Sequence, residues 1–462
     1  MSNTGSGVSI DGTASQRASA IARLVASPAG KAVAIGGLLL LMLIPLRYIS
    51  GIIQEREARQ TEVVKEFQRS WGPAQSMIGP VLVVPYWTSP DKPRRYLHIA
   101  PSELKATVRL IPELRKRGLF HSVVYTADAR LSGQFVMPQD VAAPDGAALL
   151  WPEAFVMLTA SDLRSLKSSA RLDWNGRSLP WNDCPQLSDG TCGRALFVVA
   201  RPGLTGPPAQ GNAIAFETRV ELRGTGAFRL APLGQEVDLS LSAPWPTPSF
   251  VGAVLPVSSK VTGDSFEAAW HVSSNVATGQ AVWSSNTLLG GQSWHPLEDQ
   301  IGAELLEPVP TYQMVDRASK YAVLFLALSF LTYFLFELIS GVSIHFVQYG
   351  LLGASIALFS LLLISLSEPL GFPQGYAISS ALILLQASLY TAVVTRRLRL
   401  TLMFFSILTA LFGFLYVVLT LETYSMVVGS LALFVALSLV MAVTRRLDWS
   451  HTGATPGAPA RP

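Results

Sequence analysis

The sequence predicts an α+β membrane protein with six transmembrane α-helices, one N-terminal and five C-terminal, and a large antiparallel β-rich domain between them. Three observations support this prediction. Half of the 462 residues are hydrophobic and only 14% are charged, far below the roughly 25% typical of soluble proteins. Six apolar runs approach the length of about 20 residues that a spanning helix needs. The chain between the first two runs instead consists of short strand-like stretches separated by Pro and Gly.

The first apolar run, residues 32–53, follows a basic leader and contains one charge, Arg47. An arginine near the end of a span can extend its guanidinium group to the lipid headgroups. A cleaved signal peptide is the alternative, but no Ala-x-Ala-like site follows the run, so an uncleaved signal anchor is preferred. The other runs follow one another closely, which is typical of a membrane bundle: 321–339, 348–366, 376–394, 400–419 and 425–443.

Basic residues predict the orientation of the spans, because cytoplasmic loops carry an excess of Lys and Arg. They fall on one side of the membrane when the spans are numbered: Arg17, Arg23, Lys31, Arg396, Arg397, Arg399, Arg445 and Arg446. Both termini are therefore expected in the cytoplasm. The predicted order is a cytoplasmic tail (1–31), the anchor (32–53), a periplasmic β-rich domain (54–319), a five-helix bundle (320–443) and a cytoplasmic tail (444–462).

The net charge of +4 comes from the segments that flank the apolar runs. Residues 54–319 carry a net charge of −2, and the rest of the chain carries +6. A nucleic-acid-binding protein would instead cluster Lys and Arg on one face of a folded domain. Nucleic acid is therefore not an expected partner, whereas membrane lipids are.

The predicted outer domain begins with a charged, helix-compatible stretch, residues 54–69, in which opposite charges recur at helical spacing. A stalk helix is preferred over a partner-binding helix, and Trp71-Gly72-Pro73 should end it. Strand-like runs bounded by turn residues follow: 81–86, 105–111, 122–125, 196–200, 213–222, 237–241 and 266–273. Their spacing predicts a β-sandwich or a related layered fold, as one domain or as two lobes.

The two cysteines of the chain, Cys184 and Cys192, lie close together in the predicted outer domain. Oxidising conditions outside the cytoplasm favour a disulfide between them. A metal-binding pair is the alternative, but no histidine lies at ligand spacing from either cysteine, so no metal site is predicted.

Recognisable catalytic motifs are absent from the sequence. It has no phosphate-binding glycine loop, no nucleophile elbow and no His-Glu-x-x-His pair. We therefore predict no catalytic residue, no cofactor and no enzyme activity.

Five polar residues in or beside the apolar runs are the candidates for a function within the membrane: Glu337, His345, Gln348, Tyr349 and Glu368. An ionisable residue inside a span is costly and often functional. For Glu337, an interfacial pair with His345 is an equally good interpretation. His345 and Gln348 fit a solvated turn, and Glu368 fits a water-exposed or capping residue.

Short stretches in both parts of the chain resemble one family of membrane proteins. They include Ser70-Trp71-Gly72, Trp245-Pro246-Thr247-Pro248-Ser249-Phe250, His345-Phe346-Val347-Gln348-Tyr349, Ser365-Leu366-Ser367-Glu368 and Thr444-Arg445-Arg446-Leu447-Asp448-Trp449. In these stretches the chain resembles the CreD family, inner-membrane proteins of Gram-negative bacteria linked to cell-envelope integrity and colicin tolerance. Two positions depart from the family pattern: Pro369 stands where the family usually has His, and Phe346 where it usually has Pro.

The resemblance implies an envelope protein, induced under envelope or cell-wall stress in some bacteria, and supplies no catalytic residue. The preferred hypothesis is a non-catalytic protein whose periplasmic domain binds an envelope protein, lipid or glycan. A transporter or flippase of a lipid-like substrate is the alternative, with Glu337, Tyr333, Gln348 and Tyr349 as its polar lining. A third hypothesis, an envelope hydrolase, requires three polar side chains within hydrogen-bond reach in a cleft.

Overall fold

The computed structural model describes residues 28–89, 94–137, 141, 143–166, 169–183, 197–273, 281–285, 300–306, 311–340, 344–421 and 425–445. The chain divides into two compact units. A helical unit comprises Met1–Ala58 and Val309–Pro462, and a β unit comprises Arg59–Pro308.

Six long helices are found in the described residues: α1 (Pro28–Trp71), α2 (Thr311–Ser340), α3 (Phe346–Leu370), α4 (Phe372–Thr395), α5 (Leu398–Thr420) and α6 (Ser425–Thr444). The predicted anchor and stalk are one continuous helix, α1. It ends at Trp71 because Gly72 adopts a positive φ of 127° and Pro73 cannot continue a helix.

Five of these helices are long and apolar enough to cross a membrane, within the part of the chain that the structure describes. They are α1 to α5, and α6 is a helix over the last predicted run. Large aliphatic side chains point outward from them, among them Leu40, Ile44, Leu385 and Leu389. Apolar surface of this extent requires a lipid environment. The helical unit is therefore membrane-embedded.

Two sheets build the β unit. The first contains ten strands: β1 (Gln75–Trp87), β2 (Arg95–Ile99), β5 (Ala148–Leu149), β6 (Phe155–Ala160), β9 (Asn182–Asp183), β10 (Phe197–Ala200), β12 (Ala227–Leu230), β14 (Pro248–Gly252), β17 (Val282–Ser285) and β18 (Ile301–Leu305). The second contains eight, in the order β15 (Ser258–Val261), β16 (Phe266–Ser273), β13 (Glu236–Ala243), β3 (Glu103–Arg117), β4 (Phe120–Val136), β11 (Ala213–Thr225), β7 (Arg171–Trp174) and β8 (Arg177–Pro180).

One principal core joins the two sheets. Leu82 and Val84 of β1 lie in the same buried cluster as Leu104 and Val108 of β3. The opposite face of β1, with Val81 and Val83, is covered by a second, smaller cluster. A strand buried on both faces has a continuous apolar sequence, which explains the run at residues 81–86. The layered β fold predicted from the sequence is therefore present.

The prediction of an antiparallel β domain is wrong in two places. β1 pairs with β12 in parallel, and β13 pairs with β3 in parallel. Parallel neighbours need long connections, and strand runs read one at a time do not reveal which strands become neighbours. The predicted runs also fall short of several strands, since residues 103–117 of β3 pair with residues 120–134 of β4.

Candidate functional site

Glu337 lies in a polar cluster where α2 ends and α3 begins. One of its carboxylate oxygens forms an ion pair with the Lys31 ammonium group of α1. The other accepts a hydrogen bond from the Tyr349 hydroxyl of α3, at 3.3 Å. The Glu337 side chain is only 10% exposed, so a carboxylate here is stabilised by partners rather than by water. The alternative interpretation, an interfacial pair with His345, is wrong, because Lys31 is the ion partner.

Glu368 lies in a second cluster, where α3 ends and α2 begins. Its Oε1 atom accepts a hydrogen bond of 3.0 Å from the Tyr312 hydroxyl, and Arg56 of α1 approaches its Oε2 atom to 3.8 Å. The side chain is 8% exposed. A water-exposed position for Glu368 is therefore wrong.

The two clusters have matching compositions. Each contains a glutamate, a tyrosine and a base, contributed by α1, α2 and α3. The helix between Lys31 and Arg56 is about 37 Å long at ~1.5 Å per residue. The hydrocarbon core of a bilayer is about 30 Å thick. The clusters therefore lie at the two boundaries of the apolar zone, where a charged head can reach water and still hold three helices together.

A third polar contact lies deeper in the helical unit. The Tyr333 hydroxyl of α2 shares a hydrogen bond with the Thr391 hydroxyl of α4. The Tyr333 ring packs edge-on against the Tyr349 ring, with centroids 5.8 Å apart. Tyr333 thus connects α4 to the tyrosine that holds Glu337.

The interface between α3 and α4 carries small hydroxyl side chains. Ser355 donates a hydrogen bond of 3.2 Å to Gln386, and Ser360, Ser367 and Ser379 are buried. Gly375 packs directly on Ser367, since a Cβ there would lie 2.5 Å from its hydroxyl oxygen. Such small-residue contacts let membrane helices approach closely.

His345 and Gln348 cap the start of α3. The Val347 amide donates to the Nδ1 atom of His345 at 3.3 Å, and the His345 amide donates to the Gln348 side chain at 3.0 Å. A reciprocal pair of this kind satisfies amides that the first helical turn leaves unpaired. Both side chains are thus used in capping and do not join the Glu337 cluster.

The β unit carries a groove on the outer face of its eight-stranded sheet. It has a volume of about 410 Å³. Its floor is a row of small residues on four neighbouring strands, Thr107, Ser240, Ala269 and Ser258, which the strand register aligns. Hydroxyl groups and an alanine methyl therefore form the floor of a shallow channel across the strands.

Charged residues border this groove on both sides. Lys260 and Glu267 line one side. On the other, His271 contacts Asp238 at 2.8 Å and Glu236 at 3.3 Å, and the hydrogen bond to Asp238 raises the pKa of His271. Lys105, on the same row, has its pKa raised by a hydrogen bond to Glu103. The floor of the groove is therefore uncharged, and the charges of Lys105 and His271 beside it are paired.

Among the described residues, no group of three potential ligands could hold a metal ion. The predicted disulfide residues, Cys184 and Cys192, lie outside the described residues.

The sequence profile of the family described as Inner membrane protein CreD matches residues 27–450. The chain belongs to the CreD family. The Inner membrane protein CreD of Escherichia coli strain K12 is 27% identical over 430 residues, which cover 89% of this chain and 92% of that protein. The match spans both units, so the resemblance noted in short stretches extends over the whole CreD architecture.

Two solved structures show weak similarity to the chain. An M1 zinc metallopeptidase from Deinococcus radiodurans gives a TM-score of 0.23 at 10% identity, over 49% of this chain and 54% of that one. A putative nutrient binding protein from Legionella pneumophila gives 0.26 at 7% identity, over 56% and 85%. Similarity this low indicates neither a shared fold nor a shared activity.

The sequence alone did not reveal that Lys31, Arg56 and Tyr312 complete the two clusters of this CreD protein. Lys31 and Glu337 are 306 positions apart. The sequence does place Lys31 and Glu337 at a similar depth, because each lies next to the predicted cytoplasmic end of a span, and this is the feature that could have suggested the pair. The groove gave no signal, because single Ser and Thr residues on a strand are ordinary surface residues.

Proposed function

We propose that this CreD protein supports cell-envelope integrity, as part of an envelope-stress response, by binding an envelope component through its β unit. The chain crosses the inner membrane six times, with α6 as the last span and both termini in the cytoplasm. The β unit then lies in the periplasm. The helical unit anchors it, and the protein acts by binding rather than by catalysis.

The groove on the eight-stranded sheet is the observation that carries this proposal. Hydroxyl groups of Thr107, Ser240 and Ser258 provide donors and acceptors without charge, and their small side chains leave room for a ligand. Among the bordering charges, those of Lys105 and His271 are already paired within the sheet. Such a surface suits a polar, largely uncharged chain, either a glycan or an extended peptide, better than a small charged metabolite.

The surroundings of His271 support a non-catalytic function. A hydrolytic triad needs a histidine with one nitrogen held by a carboxylate and the other facing a hydroxyl group. Both ring nitrogens of His271 contact carboxylates, those of Asp238 and Glu236. Neither nitrogen is left to accept a proton from a serine of the groove.

Site-specific photo-crosslinking tests the proposal. A photoreactive amino acid replaces Ser240 in the groove or, as a control, Ser132, which lies on β4 of the same sheet outside the groove. We expect a reproducible adduct with a periplasmic or cell-wall component from position 240 and none from position 132. The cells are irradiated intact and the adducts are identified by mass spectrometry.

A blocking variant makes this test stricter. For this test the photoreactive amino acid replaces Ser258, which also lines the groove. Ser240→Arg should then fill the groove and abolish the adduct from position 258, whereas Ser132→Arg should leave that adduct unchanged. If neither 240 nor 258 yields a reproducible adduct, binding through the groove is wrong.

Transport of a lipid-like substrate through the helical unit is the second candidate. One observation favours it: the buried hydroxyl groups between α3 and α4 continue through Thr391 and Tyr333 to the Glu337 cluster. Polar groups inside a bundle often mark a substrate or proton path.

A further inference from the structure

The β3–β4 hairpin extends beyond the sheet to which it belongs. β3 pairs with β4 up to Arg117 and Phe120. On one side, β13 pairs with β3 only as far as Arg109. On the other, β11 pairs with β4 only as far as Val124. The last four residue pairs therefore lie beyond the strands that flank the ribbon. Ser122 and Val123 of β4 are still buried there, so the exposed end of the hairpin consists of the last residues of β3 and the turn, 113–119.

The projecting end is exposed and partly apolar. Every residue from 113 to 119 is exposed, and Leu114 and Leu119 have 55% and 53% of their surface open. Core-facing positions of β3 alternate through Leu104, Ala106, Val108 and Leu110, all buried. Leu114 continues this apolar face, and more than half of its surface is exposed although Val123, its neighbour across the strands, belongs to the core. The fold therefore buries less than half of this side chain.

The two faces of the projecting ribbon have different partners. Arg115 stacks on the Trp71 ring at 4.8 Å, and Arg117 pairs with Glu66 of α1 at 2.5 Å. These contacts turn the arginine face toward the end of α1. Leu114 and Lys116 alternate with them and lie on the opposite face, with Leu119 in the turn. Two leucines and a lysine are thus left for an external partner.

The direction of the hairpin favours a lipid surface as that partner. The base of the ribbon lies at Trp71, whose indole nitrogen donates to the Tyr125 carbonyl at 3.1 Å. Its tip lies at Glu66, five positions earlier in α1. The hairpin therefore points toward the N-terminal side of this helix segment, and in that direction the α1 sequence becomes apolar.

We propose that the tip of the β3–β4 hairpin docks on the surface of the bilayer, with Leu114 and Leu119 at the acyl boundary and Lys116 on lipid phosphates. Exposed aliphatic residues beside a basic residue are the combination that binds anionic membrane interfaces. The chain belongs to an inner-membrane family, so its helical unit lies in a bilayer and a lipid surface is present for the hairpin to bind. This docking does not depend on what the groove binds.

Lipid-dependent quenching tests the docking in the full-length protein. Leu119→Cys is labelled with the fluorophore NBD in nanodiscs of phosphatidylglycerol and phosphatidylcholine. A fraction of the lipid carries a nitroxide near the head of the acyl chain. We expect the nitroxide lipid to quench the label strongly at position 119. Unsubstituted protein, labelled in parallel, gives the background from Cys184 and Cys192.

The control position lies at another hairpin of the same sheet. Ser178→Cys, in the exposed β7–β8 hairpin, should show no quenching. In the Leu119→Cys protein, Lys116→Ala should lower the ratio of docked to free hairpin about five-fold, the effect of one basic residue at an anionic surface. Nanodiscs of pure phosphatidylcholine, which lack the anionic lipid, should lower this ratio to a similar extent.

Two results would overturn the proposal. The first is a label at position 119 that is no more quenched than the label at 178. The second is a label at position 119 that shifts to shorter wavelength without lipid quenching, since that indicates a protein contact. Quenching that Lys116→Ala leaves unchanged would overturn the phosphate contact.

Discussion

Individual carboxylates define the helical unit at the residue scale. Glu337 and Glu368 are both nearly buried, and each has a tyrosine and a base as partners. Burying a carboxylate without partners would cost several kcal/mol. The position of each glutamate therefore fixes α1 against α2 and α3, which makes the N-terminal helix part of the bundle rather than a tether alone.

The Glu337 cluster gives a prediction at this scale. Glu337→Gln should lower the unfolding free energy by about 1 kcal/mol, as for other polar contacts between membrane helices, because the Lys31 ammonium loses its counter-charge. The measurement is unfolding of the purified protein in mild detergent. In the Glu337→Gln protein, Lys31→Met should lower the unfolding free energy by less than it does in the unsubstituted protein, since the two residues are coupled.

Glu62→Gln provides the control, because Glu62 is an exposed residue of α1 and undergoes the same chemical change. It should leave stability unchanged. The envelope phenotype of Glu337→Gln separates the two proposed functions. A cell that tolerates envelope stress normally with this variant contradicts transport through Glu337 and leaves the binding function intact.

At the scale of elements, a buried junction joins the end of α1 to both sheets. The Tyr125 hydroxyl of β4 donates to the Ala227 carbonyl and accepts from the Gln75 amide at 3.2 Å. Burial is the main cause that raises the pKa of Tyr125, so the hydroxyl stays protonated and can donate. The junction thus ties β1, β4 and β12 together where the two sheets meet.

Gly224 of β11 makes this junction testable. A Cβ at position 224 would lie 2.4 Å from the Tyr125 hydroxyl oxygen and 2.9 Å from the Gln75 side chain. Gly224→Ala should therefore lower the unfolding free energy by about 1–3 kcal/mol, the usual effect of overpacking. The midpoint of chemical unfolding, followed by tryptophan fluorescence, measures this loss.

Gly263→Ala is the matched control, since nothing lies within 4 Å of a Cβ at that position. It should be neutral. A Gly224→Ala protein as stable as the Gly263→Ala protein would show that the junction yields easily and that Tyr125 does not hold the two sheets together.

The whole molecule combines a membrane-embedded helical unit with a β unit that has its own core. Topology is the prediction at this scale. Alkaline phosphatase, which is active only outside the cytoplasm, should be active when fused after Gly203, in the loop between β10 and β11. Fused after Arg397, between α4 and α5, it should be inactive, and green fluorescent protein should fluoresce there. Phosphatase activity assays and whole-cell fluorescence read out the two fusions, and an inactive phosphatase at Gly203 would contradict a periplasmic β unit.

The apolar runs and several strands could be read directly from the sequence. Residues 32–53 lie in α1, and the next four runs largely coincide with α2 to α5. The predicted run at residues 266–273 has the same bounds as β16, Phe266–Ser273. These features are local, because hydropathy over a window reports the transfer of that segment into lipid or core, whatever the rest of the chain does.

The sequence by itself determined the class of this protein, its apolar helices and its membership of the CreD family, since each depends on residue types at neighbouring positions. Only the tertiary structure decided which residues meet. Glu337 finds Lys31 across 306 positions, and Thr107 lines up with Ser240 through a parallel strand pair. Such contacts depend on helix packing and strand register, which arise from the fold as a whole.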